Sequence, residues 1–187
     1  MKQVTAAIMI TLLLVCNCYA DELTGNINVT LGMNFMDHDD WEPVDEQREL
    51  GINIDLRANS PVALTIGLYG SSDDDIINGY NVELSTSELR VGLKKIWEID
   101  ENISLFFSGG IAIISVEAEV DLRPQYSKIS EKDGNDGFWI GCGAYKTINN
   151  SLNIGAQVEF SSANIEIANE NADAGGTHVA LIVGYHF

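Results

Sequence analysis

The chain has 187 residues and a formal net charge of −18, from 28 acidic and 10 basic side chains. So acidic a balance argues against nucleic acid as a partner, because binding it requires Lys and Arg to neutralise phosphates. The length suits one domain, and where the acid sits matters more than how much there is.

The first twenty residues, "MKQVTAAIMITLLLVCNCYA", carry Lys2, an apolar run from Val4 to Val15 and a small residue at Ala20. That is the layout of a secretory signal peptide, and the run is too short to span a bilayer as a helix. Cys16 and Cys18 follow Val15 and Asn17 rather than the small residue that usually precedes a lipidated cysteine, so cleavage after Ala20 is expected ahead of the alternative, lipidation at Cys16 or Cys18. The expected division is residues 1–20 as signal and 21–187 as a single domain. Without the signal, nine basic groups face 28 acidic ones, a net charge of −19. Cys142 would then be the one cysteine left, so no internal disulfide forms.

From Leu23 to Phe35, Ile27, Val29, Leu31, Met33 and Phe35 alternate with Asn26, Asn28, Thr30, Gly32 and Asn34. Period two is the strand period. It recurs over Arg48–Arg57, where Leu50, Ile52, Ile54 and Leu56 oppose Glu49, Gly51, Asn53, Asp55 and Arg57. It returns over Pro61–Tyr69, through Val62, Leu64, Ile66 and Leu68. Next, Leu89, Val91, Leu93 and Trp97 oppose Glu88, Arg90, Gly92 and Lys94. After them Ile103, Leu105, Phe107, Ile111 and Ile113 oppose Ser104, Phe106, Ser108, Gly110 and Ala112. In Gly137–Thr147 two faces compete: Phe138, Ile140, Cys142 and Ala144, or Trp139 and Tyr145. Leu152–Phe160 alternates again, with Glu159 on its polar side, and so does the closing "HVALIVGYHF". That makes eight strands. Pro43, Pro61 and Pro124 fall in loops or at a strand start, where a missing N–H does no harm.

Short connections such as "ANS", "EIDEN" and "INNS" alternate with long ones: "MDHDDWEPVDEQ", "GSSDDDIINGYN", the stretch around "DLRPQYSKISEKDGND", and "EIANENADAGG". Transmembrane barrels are built this way, with short periplasmic turns and long extracellular loops. A soluble sandwich also alternates, but its polar face would carry fewer Gly, Ala, Ser and Asn. Phe35 and Phe160 are expected at the outer rim, and Trp97, Tyr185 and Phe187 at the inner rim.

With its signal peptide, eight alternating strands and terminal "YHF", the sequence resembles the small eight-stranded bacterial outer-membrane barrels. These include the transmembrane domain of outer membrane protein A and the relatives of outer membrane proteins X and W. The resemblance covers residues 21–187. It implies an all-β, eight-stranded antiparallel up-and-down transmembrane β-barrel in a Gram-negative outer membrane. It also implies that Tyr185 and Phe187 carry the signal read by the barrel-assembly machinery, and that the barrel contacts outer-membrane lipids and lipopolysaccharide.

The polar faces place Glu49, Asp55, Arg57, Glu88, Arg90, Lys94 and Glu159 inside the barrel, with Tyr69 and Phe106 pointing the same way. Unpaired charge in a narrow interior is costly. These groups form either a salt-bridged plug or a gated wet path for small solutes. The loops gather Asp37, Asp39, Asp40, Glu42, Asp45 and Glu46, then Asp73, Asp74 and Asp75. Carboxylates can hold divalent cations, although solvated acid is the plainer reading. "EKDGNDG" (Glu131–Gly137) has only part of a calcium-loop spacing, and His38 has no partner histidine. Ser161 and Ser162 have no histidine on their strand, His178 is expected in the lumen and His186 at the far rim, so no catalytic site stands out. No metal and no cofactor is assigned. The expected role is structural or interactive, stabilising the envelope or presenting the acidic loops to partners or divalent ions. A narrow channel for small solutes is the alternative. A lipid A-modifying enzyme or a soluble exported barrel enclosing a ligand ranks behind both.

Overall fold

The computed structural model describes residues 23–37, 41–58, 60–77, 80–122, 127–167 and 170–187. The expected signal peptide and residues His38, Asp39 and Asp40 lie outside the described residues.

Alternation decides the architecture. Ile27, Val29 and Leu31 are exposed on the outside, while Asn26, Asn28 and Thr30 between them are buried. An outward apolar face with a polar interior inverts a soluble core and suits a lipid solvent. The strands are β1 (Leu23–Phe35), β2 (Glu46–Ala58), β3 (Val62–Ile77), β4 (Tyr80–Asp100), β5 (Ile103–Leu122), β6 (Ser127–Ile148), β7 (Leu152–Ser162), β8 (Asn164–Ile167), β9 (Glu170–Asp173) and β10 (Gly176–His186). Eight close into a barrel in the order β1-β10-β7-β6-β5-β4-β3-β2, and β8 and β9 form a separate hairpin. Each barrel pair is antiparallel. Closure removes every strand edge that lipid would leave unsatisfied.

The strands are unequal. β7 and β10 have 11 residues each, about what a tilted strand needs to cross a bilayer. β4, β5 and β6 have 21, 20 and 22. The surplus extends the loop end as a paired sheet, with Asp74 opposite Glu83, Glu83 opposite Glu119, and Glu117 opposite Lys132. This corrects the sequence reading. Asp73, Asp74 and Asp75 belong to β3 and Glu131–Gly137 belongs to β6, so neither stretch is a free loop. The "EIANENADAGG" segment likewise contains the β8–β9 hairpin. Beyond the bilayer a strand has no lipid to face, so its outer side need not be apolar and the alternating signal weakens, although Leu84 and Val116 still pack inward.

In β6, Trp139 and Tyr145 are buried and Phe138 and Ile140 face out, which settles the two competing faces. The larger aromatics fill the lumen, where small Gly143 and Gly155 stand beside Phe106 and Tyr145. Phe35, Phe138 and Phe160 are exposed near the loop-side rim, and Trp97, Tyr185 and Phe187 near the turn-side rim.

Two apolar clusters bracket the interior. Met36, Trp41, Val44, Leu84, Ile114, Val116, Ala163 and Ile165 pack at the loop end. Ala63, Ile96, Phe106, Tyr145 and Ile182 pack toward the turn end. The ionisable side chains of the lumen lie between them.

Candidate functional site

The centre of the lumen is Arg90 on β4, 1% exposed. Its Nε donates to Glu88 Oε2 at 2.8 Å, its Nη1 to Glu159 Oε2 at 2.5 Å, and its Nη2 to His178 Nε2 at 2.9 Å. The guanidinium also lies over the Tyr69 ring, 4.1 Å from its centroid. All three guanidinium nitrogens donate and Tyr69 covers one face of the cation, as a buried charge requires.

His178, on β10, links this group to β2. A guanidinium only donates, so the Nε2 it meets accepts and the imidazole proton sits on Nδ1. Nδ1 then donates to Glu49 Oε2 at 2.5 Å. Ser161 Oγ stands 3.0 Å from the same Nε2 and 3.3 Å from Glu88 Oε1. Serine, histidine and carboxylate are therefore in line, as in nucleophilic catalysis. Two features deny that chemistry. The Nε2 lone pair is already engaged by Arg90, so the serine proton goes to Glu88. Both Ser161 and His178 are also fully buried.

One layer toward the turns, Lys94 Nζ donates to Asp55 Oδ2 at 2.9 Å and lies 4.7 Å from the centroid of the Phe106 ring. Asn28 donates to Asn53 at 3.0 Å, and Asn153 to Asn26 at 2.9 Å, extending a polar net toward the periplasmic mouth. Toward the loops, Gln47 accepts from Ser71 at 2.6 Å. Glu49 Oε1, Gln47 Nε2 and both side-chain polar atoms of Asn34 are buried without a protein partner there.

Of the seven charges placed inside from sequence, Glu49, Asp55, Glu88, Arg90, Lys94 and Glu159 are buried in the lumen. Arg57 stands apart. At the periplasmic mouth its Nη2 meets Glu98 at 3.3 Å and its Nε donates to Thr24 at 3.3 Å. Tyr185 and Phe187 lie on the outer face of the closing strand, where Phe187 exchanges backbone hydrogen bonds with Gly25. His186 bonds Asn26 at 3.0 Å. Ser161 and His178 are the pair that single-strand reading missed: they sit on neighbouring strands, β7 and β10, and the register that joins them is not written in either segment. Among the described residues no three His, Cys, Asp or Glu side chains come together to hold a metal ion.

This barrel has sequence relatives at the level of a family. The family model described as the outer membrane protein beta-barrel domain matches residues 6–187. The chain belongs to that family. It is an outer-membrane β-barrel protein, and its family places it in the bacterial outer membrane. No curated protein sequence matches it.

Solved structures share the fold. The attachment invasion locus protein Ail of Yersinia pestis, crystallised with the heparin analogue sucrose octasulfate, is 13% identical with a TM-score of 0.63; the match covers 89% of this chain and 99% of Ail. Neisserial surface protein A is 10% identical with a TM-score of 0.60, covering 88% and 97%. The N-terminal β-barrel domain of OprF from Pseudomonas aeruginosa is 12% identical with a TM-score of 0.54, also covering 88% and 97%. At these identities the likeness is one of fold alone.

Proposed function

We propose that this outer-membrane barrel is a non-enzymatic structural protein, plugged by its own charges, that carries an acidic surface at its extracellular end. The observation that carries this reading is Arg90, held by Glu88, Glu159 and His178 with Tyr69 across its face. A selectivity filter needs charges that water and ions can reach. These charges are consumed by one another, between apolar clusters above and below. The reading includes removal of residues 1–20 as a signal peptide and use of Phe187 by the barrel-assembly machinery.

Ail was crystallised with a sulfated sugar, but charge opposes such a ligand here. The extracellular sheet presents Asp74, Glu83 and Glu119 directly opposite one another. Like charges so placed repel, and they repel a polyanion too. Lipopolysaccharide would therefore be met through divalent cations rather than directly.

A second reading, a narrow channel, draws on the orphaned polar atoms of Asn34, Gln47 and Glu49. Such groups are ordinarily served by water, so the upper lumen has the chemistry of a wet chamber. Conduction would still require the Met36–Trp41–Val44 cap to lift.

Single-channel recording of the refolded mature chain in a planar bilayer, with Arg90→Ala alongside, separates the two. Silence from demonstrably inserted protein supports the plug. Reproducible openings that change in the variant would replace it with the channel.

A further inference from the structure

The periplasmic rim has a step in it. The β3–β4 ladder ends at Val62 opposite Lys95, with Ile96 N–H donating to Pro61 O at 2.9 Å. β4 continues to Asp100, paired only with β5. Below the short β2–β3 turn, no strand among the described residues pairs with β4 on that side. The step leaves a cleft of about 640 Å³, lined by Arg57, Ser60, Pro61, Lys95, Trp97 and Glu98 among others.

Its chemistry is unlike the rest of the molecule. Lys95 lies on the lipid-facing side of β4, in phase with Leu93 and Trp97, and its cross-strand neighbours Val62 and Phe107 are exposed apolar residues. Among the described residues Lys95 has no ion-pair or hydrogen-bond partner. Arg57 shares its charge with Glu98, whose side chain is 67% exposed. Among the described residues lining the cleft, two cations stand against one carboxylate, a positive site on a chain of net charge −18. The cation without a partner sits where apolar surface ends and the aromatic rim begins. A lysine there buries its stem and lifts its ammonium to the interface, and indole favours the same level.

We propose that this cleft binds the headgroup phosphate of an anionic phospholipid in the periplasmic leaflet. Lys95 and Arg57 meet the phosphate, Trp97 flanks it, and the acyl chains lie along Val62, Leu93 and Phe107. A lipid fits better than a soluble anion because one wall of the cleft is continuous with the membrane-facing surface. The alternative is that Lys95 merely reaches into water and ignores headgroup identity.

The test places full mature chain carrying Trp41→Phe and Trp139→Phe, so that Trp97 is the one indole left, in phosphatidylcholine vesicles. These are doped with brominated phosphatidylglycerol or brominated phosphatidylcholine. With Arg57 already paired to Glu98, the net gain rests on Lys95. One basic residue near an anionic headgroup contributes about 1 kcal/mol, so enrichment of the anionic lipid at Trp97 is expected at about fivefold. Lys95→Gln should return quenching to that of the neutral lipid, while heat-modifiable gel mobility stays that of a folded barrel. Equal quenching by both lipids overturns the proposal. So does displacement of phosphatidylglycerol by inorganic phosphate, which would assign the cleft to a soluble anion. If the double variant fails to fold, lipid retained by the otherwise unaltered chain and by its Lys95→Gln form, counted by native mass spectrometry, gives the same two answers.

Discussion

Arg90 and Glu159, 69 residues apart in the chain, meet across the lumen at 2.5 Å with almost no exposure to solvent. Breaking such a pair from one side leaves an uncompensated charge, which costs more than the pair itself contributes. Arg90→Ala strands Glu88 and Glu159 together and is expected to destabilise the barrel by about 3–5 kcal/mol. Glu159→Gln keeps a hydrogen-bond acceptor for the guanidinium and should cost about 1–3 kcal/mol. Urea unfolding in vesicles, followed by tryptophan emission, measures both. Equal stability of Arg90→Ala and the unaltered protein would remove the structural role given to the network.

The loop-end cap joins segments far apart in sequence. Trp41 is buried there and its Nε1 donates to Asp173 O at 2.7 Å, tying the first loop to the β8–β9 hairpin. Trp41→Phe gives up that bond and should cost about 1 kcal/mol. Trp41→Ala also opens a cavity beside Leu84 and Ile165 and should cost about 3–5 kcal/mol. If the two variants unfold at the same denaturant concentration, packing in the cap contributes nothing beyond the hydrogen bond.

What could be read from sequence follows from what the bilayer enforces. Within its thickness every second residue must be apolar, so parity alone put Glu49, Asp55, Glu88, Arg90, Lys94 and Glu159 on the inner face. Parity also left Trp139 and Tyr145 undecided, because an aromatic ring suits either a rim or a lumen. Outside the bilayer the constraint lapses. Asp73–Asp75 and Glu131–Gly137 then look like loop although hydrogen bonding makes them strand. The contact of Ser161 with His178 and of His178 with Glu49 depends on which strands adjoin and in what register, and no single segment carries that information. The cap had a faint signal: Met36, Trp41 and Val44 are apolar residues inside an acidic connection, where water alone would not favour them.

Asp133 on the extracellular part of β6 accepts the backbone N–H of Glu166 at 2.8 Å, pinning β8 to the sheet. Bonds from the Glu166 and Gly134 amides hold its carboxyl below the usual carboxylate range. A lowered folded value means that the tether is fully present above the unfolded carboxylate range, near pH 4. It is lost as pH falls through the lowered folded value. An NMR titration of the Asp133 carboxyl carbon together with the Glu166 amide should show both moving at one midpoint below that of a free aspartate. Asp133→Asn should abolish the acid-dependent shift of the Glu166 amide. Independent midpoints would separate the carboxylate from the hairpin.

Phe187 closes the barrel as well as ending the chain: its N–H donates to Gly25 O at 3.0 Å, and Gly25 N–H returns the bond at 2.8 Å. A Cβ on Gly25 would come within 2.8 Å of the Phe187 ring and closer still to the Asp55 carbonyl, so only glycine lets the seam close. The proposed assembly signal and the seam are therefore different properties of one residue, and they can be pulled apart. Gly25→Ala disturbs the seam but leaves the terminal aromatic in place, so it should slow folding into pure lipid vesicles and assembly in cells alike. Phe187→Ala relieves the ring and removes the signal. It should slow assembly in cells severalfold, read as heat-modifiable mobility over time, while unassisted refolding proceeds at nearly the unaltered rate. Equal slowing of Phe187→Ala in both settings would make the terminal ring a closure contact and nothing more.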